Sequence, residues 1–349
     1  MKHAISAIVI SHVSHLLAVL SLYALTKELI PAPVARKRAV AFTASTLHVL
    51  SPAGLFLSAP YAESSFAFVS MTGTLCYVLA AKASRSHAVQ RQASRLQWTV
   101  RAGFMFGLAA MLRSNGLLSG IPFAADVLAA PKARQNQEAR RKAWNQFLAT
   151  MAAGSLVGVG FVLPQFVAYT EFCVNGSTRP WCRKLLPSIY SWVQEHYWEV
   201  GLFKYWTLNN LPLFLLAAPM LLALLWTGYL ALLRSDGLVA LAQSKTEKNV
   251  VTAEETEAFR NVLPRLALPQ LVLAVLAATS FHVQIINRIS SGYPVWYIVL
   301  AIAIHASPAE RRRVLGSFGR GRALEWTIRA MIMYAIVQGG LFASFLPPA

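Results

Sequence analysis

The sequence predicts an all-α protein that crosses a membrane several times, and three observations favour this fold class. The 349 residues are 56% hydrophobic and 13% charged, with a mean hydropathy of +0.48, whereas an average soluble domain carries about 25% charged residues. The apolar residues form runs close to the roughly 20 residues that a membrane-spanning helix needs. The lysines and arginines lie between these runs. Several apolar runs of this length rarely coexist in a soluble domain, so we interpret the chain as a polytopic membrane protein.

The apolar runs predict a bundle of about 8–10 transmembrane helices in a single domain, residues 1–349. Around 102–130 we predict a hairpin of two short halves that meet near "LRSNGLLSG". One long tilted helix is the alternative, but it would push one basic loop to the wrong side. Gly154 and Gly158 form a GxxxG pair, which indicates a close helix contact. The predicted helices are residues 4–25, 39–59, 63–81, 101–112, 116–130, 146–168, 210–233, 266–286, 293–306 and 326–346.

The net charge of +18 comes from basic clusters in the gaps, which follow the positive-inside pattern of membrane proteins. In a soluble protein this charge would suggest nucleic-acid binding. No basic motif interleaved with aromatic residues supports base contact, so we expect no nucleic-acid partner. One substantial loop, residues 169–208, is placed on the non-cytoplasmic side. The loops that we assign to the cytoplasmic side are residues 82–101, 131–143, 234–265 and 307–325.

The loop at 169–208 carries two candidate modifications. Asn175 begins an Asn-Gly-Ser glycosylation sequon, and its position agrees with the topology derived from the charges. Cys173 and Cys182 are close enough in sequence to form a small disulfide loop in an oxidising compartment. Two unpaired thiols are the alternative, since a disulfide needs specific geometry.

Ionisable residues in apolar segments are costly, so each of them is a candidate functional residue. Glu63 and Tyr61 follow Pro60 at the start of a predicted helix. A helix-end charge at the membrane interface is the alternative for Glu63, since the helix dipole favours an acid in the first turn. Arg113 and Asn115 lie in a predicted turn between apolar flanks. The forked guanidinium group of Arg113 suits a phosphate or a carboxylate; an internal salt bridge, with Glu63 as one partner, is the alternative.

Two further polar clusters lie near predicted helix ends. Aromatic, amide and acid groups in the 169–208 loop suit stacking on sugar faces, and an aromatic belt at the bilayer surface is the alternative. The polar cluster before the helix at 293–306 is also a candidate binding site; the alternative is that its side chains only cap the helix ends at the membrane interface. We expect all these clusters to face one shared cavity. The sequence contains no metal-ligand spacing, P-loop or GxSxG motif, so we expect no metal and no cofactor. The candidate binding residues of these two clusters are Trp181, Tyr190, Gln194, Trp198, His282, Gln284 and Arg288.

Four segments of the chain resemble the GPI mannosyltransferase 2 family. They are "HVLSPAGLFLSAPYAESSFAFVS" at 48–70, "MLRSNGLL" at 111–118, the stretch from "RPWC" to "LLAAP" at 179–219, and "FHVQIINRISSGYPVWY" at 281–297. The segments occur in the family's order and are spread over residues 48–297, so the resemblance extends over most of the chain. It is this combination that makes the resemblance specific.

The resemblance implies a multi-pass enzyme of the endoplasmic reticulum membrane with a GT-C-like fold. Such an enzyme transfers the second mannose, in α-1,6 linkage and with inversion, from dolichyl phosphate mannose to the glycosylphosphatidylinositol precursor on the luminal side. Some members of the family have a small accessory membrane subunit. In this scheme Arg113 and Arg288 contact the phosphate of the donor, while Glu63 and Tyr61 hold hydroxyl groups of the acceptor or the sugar.

The sequence departs from the family's pattern at one point. Family members carry an acid in a Trp-Asp motif of the first luminal loop, where it is thought to act as the base, and this sequence contains no Trp-Asp pair. The chain begins at what resembles the family's next helix, so we expect an N-terminal truncation in which the main base is absent. Glu63 is then a candidate second acid. The alternatives are a non-catalytic truncated form, or a polytopic transporter or lipid-binding scaffold with buried charges.

Overall fold

A computed structural model describes residues 2–83, 89–129, 137–174, 179–198, 200–243, 251–316 and 321–344. Within these ranges every regular element is a helix and no residue is in a β-strand, which confirms the predicted all-α fold. Short 3-10 turns link several helices. The α-helices are α1 (Lys2–Leu29), α2 (Val34–Val49), α3 (Glu63–Ala83), α4 (Val89–Leu112), α5 (Ile121–Leu128), α6 (Gln137–Cys173), α7 (Ile189–Trp198), α8 (Leu211–Leu233), α9 (Ser235–Ala242), α10 (Ala253–Thr279), α11 (Ile286–Ile289), α12 (Val295–His305), α13 (Pro308–Leu315) and α14 (Gly321–Ala343).

The membrane-spanning character of the prediction is confirmed. Six of the described helices are long and apolar enough to cross a membrane, by length and composition. The other predicted spans fall on α2, α4, α5 and α12, which are shorter or carry several arginines. The qualifying helices are therefore fewer than the 8–10 predicted spans. The six candidate spans are Lys2–Leu29, Glu63–Ala83, Gln137–Cys173, Leu208–Leu233, Ala253–Thr279 and Leu324–Ala343.

The core of the molecule lies around α12. This helix is apolar on every side, so it is stable only where other helices surround it; α2, α8, α9 and α10 pack against it, and its residues 295–303 are all buried. The indole N–H of Trp296 donates to the carbonyl oxygen of Ser290 at 3.1 Å. The backbone N–H of Trp296 donates to the side-chain oxygen of Gln270 at 3.0 Å. These bonds fix the turn that precedes α12, and the candidate site lies in that turn.

Helices α1, α3, α4 and α6 pack side by side in that order. The closest approach is between α4 and α6, where a Cβ atom on Gly160 would overlap the backbone of Gly107. The predicted contact at Gly154 and Gly158 is wrong, because a Cβ atom at either position would meet open space. The glycines that permit close packing belong to the neighbouring face of α6. The sequence spacing alone does not show which face of a helix meets its neighbour.

Several helices begin inside segments that the charge pattern assigned to loops. Helix α4 begins at Val89, within the predicted loop 82–101, and α10 begins at Ala253, within the predicted loop 234–265. Lysine and arginine are good helix formers, so a basic segment marks the end of the apolar span without ending the helix. The predicted break at Arg113 is present, but its halves are unequal. Helix α4 has 24 residues, whereas the 3-10 segment Ser114–Gly120 leads to an α5 of eight residues.

The segment between α6 and α8 folds back along α6. A disulfide joins Cys173, the last residue of α6, to Cys182, with 5.6 Å between the Cα atoms. The bond therefore closes a short loop, and α7 follows it. Asn175, the candidate glycosylation site, lies outside the described residues.

The α4–α6 contact provides a test of this packing. We expect Gly160→Ala to destabilise the protein by about 1–3 kcal/mol, because the added methyl group must push the backbone of α4 away. Gly158→Ala is the matched control on the same helix; its methyl group points into open space, and alanine favours the helix. Thermal unfolding in lipid nanodiscs measures both variants. Equal unfolding temperatures for the two would contradict the packing described here.

Candidate functional site

The site is built on Glu63, which begins α3. The loop from 50 to 62 leads into this helix, and the backbone N–H of Phe66 donates to the carbonyl oxygen of Ala62 at 2.8 Å to close its first turn. Glu63 thus occupies the favourable end of the helix dipole. Its side chain is only 1% exposed. Glu63 is a buried acid rather than an exposed charge at a helix end.

Two arginines from distant parts of the chain bind this carboxylate. Arg113 lies where α4 ends, in extended conformation (φ −148°, ψ 135°), and its Nη1 is 2.8 Å from Oε1 of Glu63. Arg288 lies on the short helix α11 and contacts the same oxygen through Nη2 at 2.6 Å and Nε at 3.0 Å. The internal salt bridge that was the alternative for Arg113 is therefore present. We call Glu63, Arg113 and Arg288 the charge cluster.

The charge cluster is not electrically balanced. One carboxylate faces two guanidinium groups, so the three side chains carry a net charge of +1. All the contacts use Oε1, and Oε2 of Glu63 has no hydrogen-bond partner among the described residues. The arginine side chains are 17% and 14% exposed, and Oε2 of Glu63 is itself buried. The excess positive charge of the cluster suits one further anion.

Aromatic rings cover one side of Arg288. Its guanidinium carbon lies 4.1 Å from the ring centre of Phe56 and 4.9 Å from that of Tyr61. Phe342, near the end of α14, packs edge-on against both rings, with centroids 5.8 Å and 6.0 Å away. Cation–π contact of this kind holds an arginine in place without using its hydrogen-bond donors. Tyr61 was predicted as a site residue; Phe56 and Phe342 were missed.

The turn after Arg113 is held from two sides. Asn115 forms two hydrogen bonds with the buried Tyr293. The side-chain amide of Asn115 donates to the tyrosine hydroxyl at 3.2 Å, and that hydroxyl donates to the backbone carbonyl oxygen of Asn115 at 3.0 Å. Ser114 donates to the hydroxyl of Tyr190 on α7 at 2.7 Å. The structure thus brings the predicted residues Asn115 and Tyr190 next to Arg113. It also shows that Ser114 and Tyr293 take part in these hydrogen bonds, which the sequence did not predict.

His282 belongs to a separate group beside the aromatic loop. Its Nε2 lies 3.0 Å from the hydroxyl of Tyr205, and the ring of Trp198 lies edge-on with the centroids 6.4 Å apart. Partial burial lowers the pKa of His282 below its usual value. The predicted residues Trp198 and His282 are therefore together. No hydrogen bond or ion pair joins them to the charge cluster within the part of the chain that the structure describes.

Three predicted residues are not brought to the charge cluster. Trp181 is buried in the turn Pro180–Arg183 beside the disulfide. Gln194 lies on α7, where its carbonyl oxygen accepts from the backbone of Val200. Gln284 is buried, and its Oε1 has no partner among the described residues. None of these three side chains forms a hydrogen bond or ion pair with Glu63 or its arginines in the described ranges.

A second ionic group inside the bundle was missed altogether. Asp126 on α5 binds Nη1 of Arg265 on α10 through Oδ1 at 2.7 Å, and it accepts a hydrogen bond from the hydroxyl of Tyr77 through Oδ2 at 2.9 Å. A signal for it was available, since Asp126 is the one acid in the apolar run 116–130. The described residues contain no group of three His, Cys, Asp or Glu side chains that could hold a metal ion.

Comparison with known proteins shows the family. A family model described as Mannosyltransferase (PIG-V) matches residues 2–349. This chain belongs to the PIG-V mannosyltransferase family. Fungal family members named GPI mannosyltransferase 2 are similar along nearly the whole chain. The protein of Gibberella zeae is 45% identical over 348 residues, which cover 99% of this chain and 75% of the relative. That of Chaetomium globosum is 41% identical over 360 residues, which cover 99% and 71%. The predicted resemblance is confirmed.

A solved structure is also similar. The apo form of the Archaeoglobus fulgidus oligosaccharyltransferase aligns with a TM-score of 0.47 and 15% sequence identity. The alignment covers 95% of this chain and 44% of the oligosaccharyltransferase chain. The PIG-V family chain thus spans less than half of that protein.

The charge cluster makes a clear stability prediction. Glu63→Gln removes the negative charge that the two arginines share, so we expect it to destabilise the protein by about 3–5 kcal/mol. The control is Glu325→Gln on α14, which removes the exposed partner of Arg329 and costs roughly 0–1 kcal/mol. Thermal unfolding in nanodiscs compares the two variants with the wild type. If Glu63→Gln is as stable as the control, the arginines do not depend on Glu63.

Proposed function

We propose that this chain transfers mannose from dolichyl phosphate mannose to a glycosylphosphatidylinositol precursor, and that it adds the second mannose in α-1,6 linkage. Membership of the PIG-V family and the names of the fungal relatives support the reaction class. One observation carries the proposal at the level of the site: the charge cluster has one positive charge in excess, as a binding site for the phosphate of the donor requires.

The leaving group of this reaction is a lipid phosphate, which gains negative charge as the bond from mannose to phosphate breaks. Donors aimed at that charge lower the barrier, most of all in a site from which water is excluded. Arg113 uses Nη1 on Glu63, and in this proposal its remaining N–H groups donate to a phosphate oxygen. Arg288 faces the same place and is held by Phe56 and Tyr61. Both guanidinium groups are thus oriented before the donor binds.

Glu63 acts in this scheme mainly as the group that positions the two arginines. Its Oε1 already accepts from both of them, so this oxygen is not free to take a proton from the acceptor hydroxyl. Oε2 is buried and has no hydrogen-bond partner among the described residues, and the ring of Tyr61 lies against Arg288. The general base that the reaction needs is a positioned group with proton-accepting capacity. We do not assign it to Glu63.

The surroundings of the site supply further parts of the proposal. The sugar and the acceptor glycan lie against the aromatic segment of α7, which is anchored to the Arg113 turn through Tyr190. The lipid chains reach the site sideways from the bilayer. The proposal includes the endoplasmic reticulum membrane as the location, with the charge cluster and residues 169–208 on the luminal side and the basic gaps on the cytoplasmic side. A small accessory membrane subunit is a further proposed partner.

The phosphate role of Arg113 is tested by Arg113→Ala. We expect mannosyl transfer to fall about 100-fold or more in kcat, the usual loss when one donor to a developing negative charge is removed. Transfer is measured with radiolabelled dolichyl phosphate mannose in microsomes from cells that lack the endogenous enzyme. Arg288 remains to pair with Glu63 in this variant, so the fold is retained, and thermal unfolding checks this.

Arg329→Ala, on an exposed face of α14, is the matched control and should leave transfer unchanged. Arg113→Lys is a second variant: it keeps the charge but loses the fork, so we expect partial recovery of transfer relative to Arg113→Ala. Wild-type transfer by a folded Arg113→Ala protein would exclude the proposed phosphate contact.

A further inference from the structure

Four polar side chains meet inside the bundle, apart from the charge cluster. They come from α1 (His15), the end of α2 and the turn after it (His48 and Ser51), and α12 (Tyr297). The ring centres of His15 and His48 are 5.3 Å apart, and those of His48 and Tyr297 are also 5.3 Å apart. His48 and Ser51 are fully buried polar residues, and Tyr297 is fully buried as well. We call these four residues the polar pocket.

The polar atoms of this pocket lack protein partners. Nε2 of His15, both ring nitrogens of His48, Oγ of Ser51 and the hydroxyl of Tyr297 are all buried, and none has a hydrogen-bond partner among the described residues. Each such atom costs about 1–3 kcal/mol if it stays unpaired in a dry interior. Five of them in one place are far more than chance would leave in a folded protein.

The arrangement of these atoms explains how they are satisfied. The hydroxyl of Tyr297 interacts with the side chain of Ser51, and the ring of His48 interacts with the backbone of Ser291, but neither contact has the full geometry of a hydrogen bond. Buried polar groups whose direct hydrogen bonds are missing or poorly aligned are often bridged by an ordered water. The pocket offers both donors and acceptors, and a buried water needs about two to four such partners.

We infer that the polar pocket is a binding site for internal water, which bridges α1, α2 and α12. A metal ion does not fit, because the described residues near it supply two histidines and no Cys, Asp or Glu that completes a ligand set. Ser51 belongs to the loop from 50 to 62 that carries Phe56 and Tyr61 and leads to Glu63. Bound water therefore anchors the start of this loop to α12, which follows the short helix α11 that carries Arg288.

Removal of one hydroxyl group distinguishes a hydrated pocket from a dry one by the sign of its effect. Tyr297→Phe and Ser51→Ala each delete one oxygen and little else. In a hydrated pocket the variant loses a bond to water, so the unfolding temperature falls. In a dry pocket the variant removes an unpaired polar atom, so the unfolding temperature stays the same or rises. Unfolding is measured on the full chain in nanodiscs.

Tyr77→Phe calibrates the size of the effect, because the hydroxyl of Tyr77 has a visible partner in Asp126. We expect Tyr297→Phe to lower the unfolding temperature by an amount similar to that for Tyr77→Phe. An unchanged or raised unfolding temperature for both Tyr297→Phe and Ser51→Ala would overturn the inference.

A second measurement does not depend on any variant. A cryo-electron microscopy map of the wild-type chain, at a resolution that shows water on other buried polar groups, should contain a density peak within hydrogen-bond distance of at least two of the five atoms. A pocket without such a peak in that map would also overturn the inference. The mannosyl-transfer reaction plays no part in either test, so the inference stands or falls independently of the proposed function.

Discussion

The burial of one carboxylate governs the architecture of the site. An ionised Glu63 in the interior of a membrane protein is tolerated only with charged partners, because the loss of hydration costs several kcal/mol. Arg113 and Arg288 lie 50 and 225 residues further along the chain than Glu63. Their shared contact therefore fixes the start of α3, the end of α4 and the turn at α11 relative to one another. The same contact holds two guanidinium groups side by side, although they repel each other.

Close backbone packing reinforces this constraint. A Cβ atom on Gly116 would come within 2.5 Å of the backbone of Ala109, so the turn after Arg113 folds tightly onto the last part of α4. On the other side, a Cβ atom on Gly292 would overlap the ring of Phe66, and Ser70 donates to the carbonyl oxygen of Gly292 at 2.8 Å. Both arginines thus stand on segments pressed against helices. Preorganised donors of this kind need no rearrangement when negative charge develops, which is the main advantage of a fixed site over water.

Polar groups are costly inside a membrane, so part of the site could be predicted from the sequence. Glu63, Arg113 and Arg288 are conspicuous because each interrupts an apolar stretch, and the same reasoning would have found Asp126 had it been applied to every such interruption. The pair of Glu63 and Arg113 was named only as an alternative, and the pair of Glu63 and Arg288 was not predicted, because residues 225 positions apart carry no mark of their contact. The apolar runs located the helices but not their ends. Helices such as α4 and α10 continue into the basic segments beyond the apolar run. The glycine spacing in α6 was present, yet Gly160 makes the contact and Gly158 does not.

The carboxylates of Glu63 and Asp126 pair with arginines in different ways: Glu63 is buried, whereas Asp126 is half-buried, with 26% of its side chain exposed. Asp126 uses both oxygens: Oδ1 meets Arg265 and Oδ2 accepts from Tyr77, so it has no oxygen left without a partner. Glu63 concentrates two arginines on Oε1 and leaves Oε2 without a partner in the described part of the chain. A structural ion pair gains most when every polar atom is satisfied, as around Asp126. A carboxylate that shares one oxygen between two guanidinium groups leaves one positive charge without a counter-ion, and the proposed phosphate site rests on this excess charge.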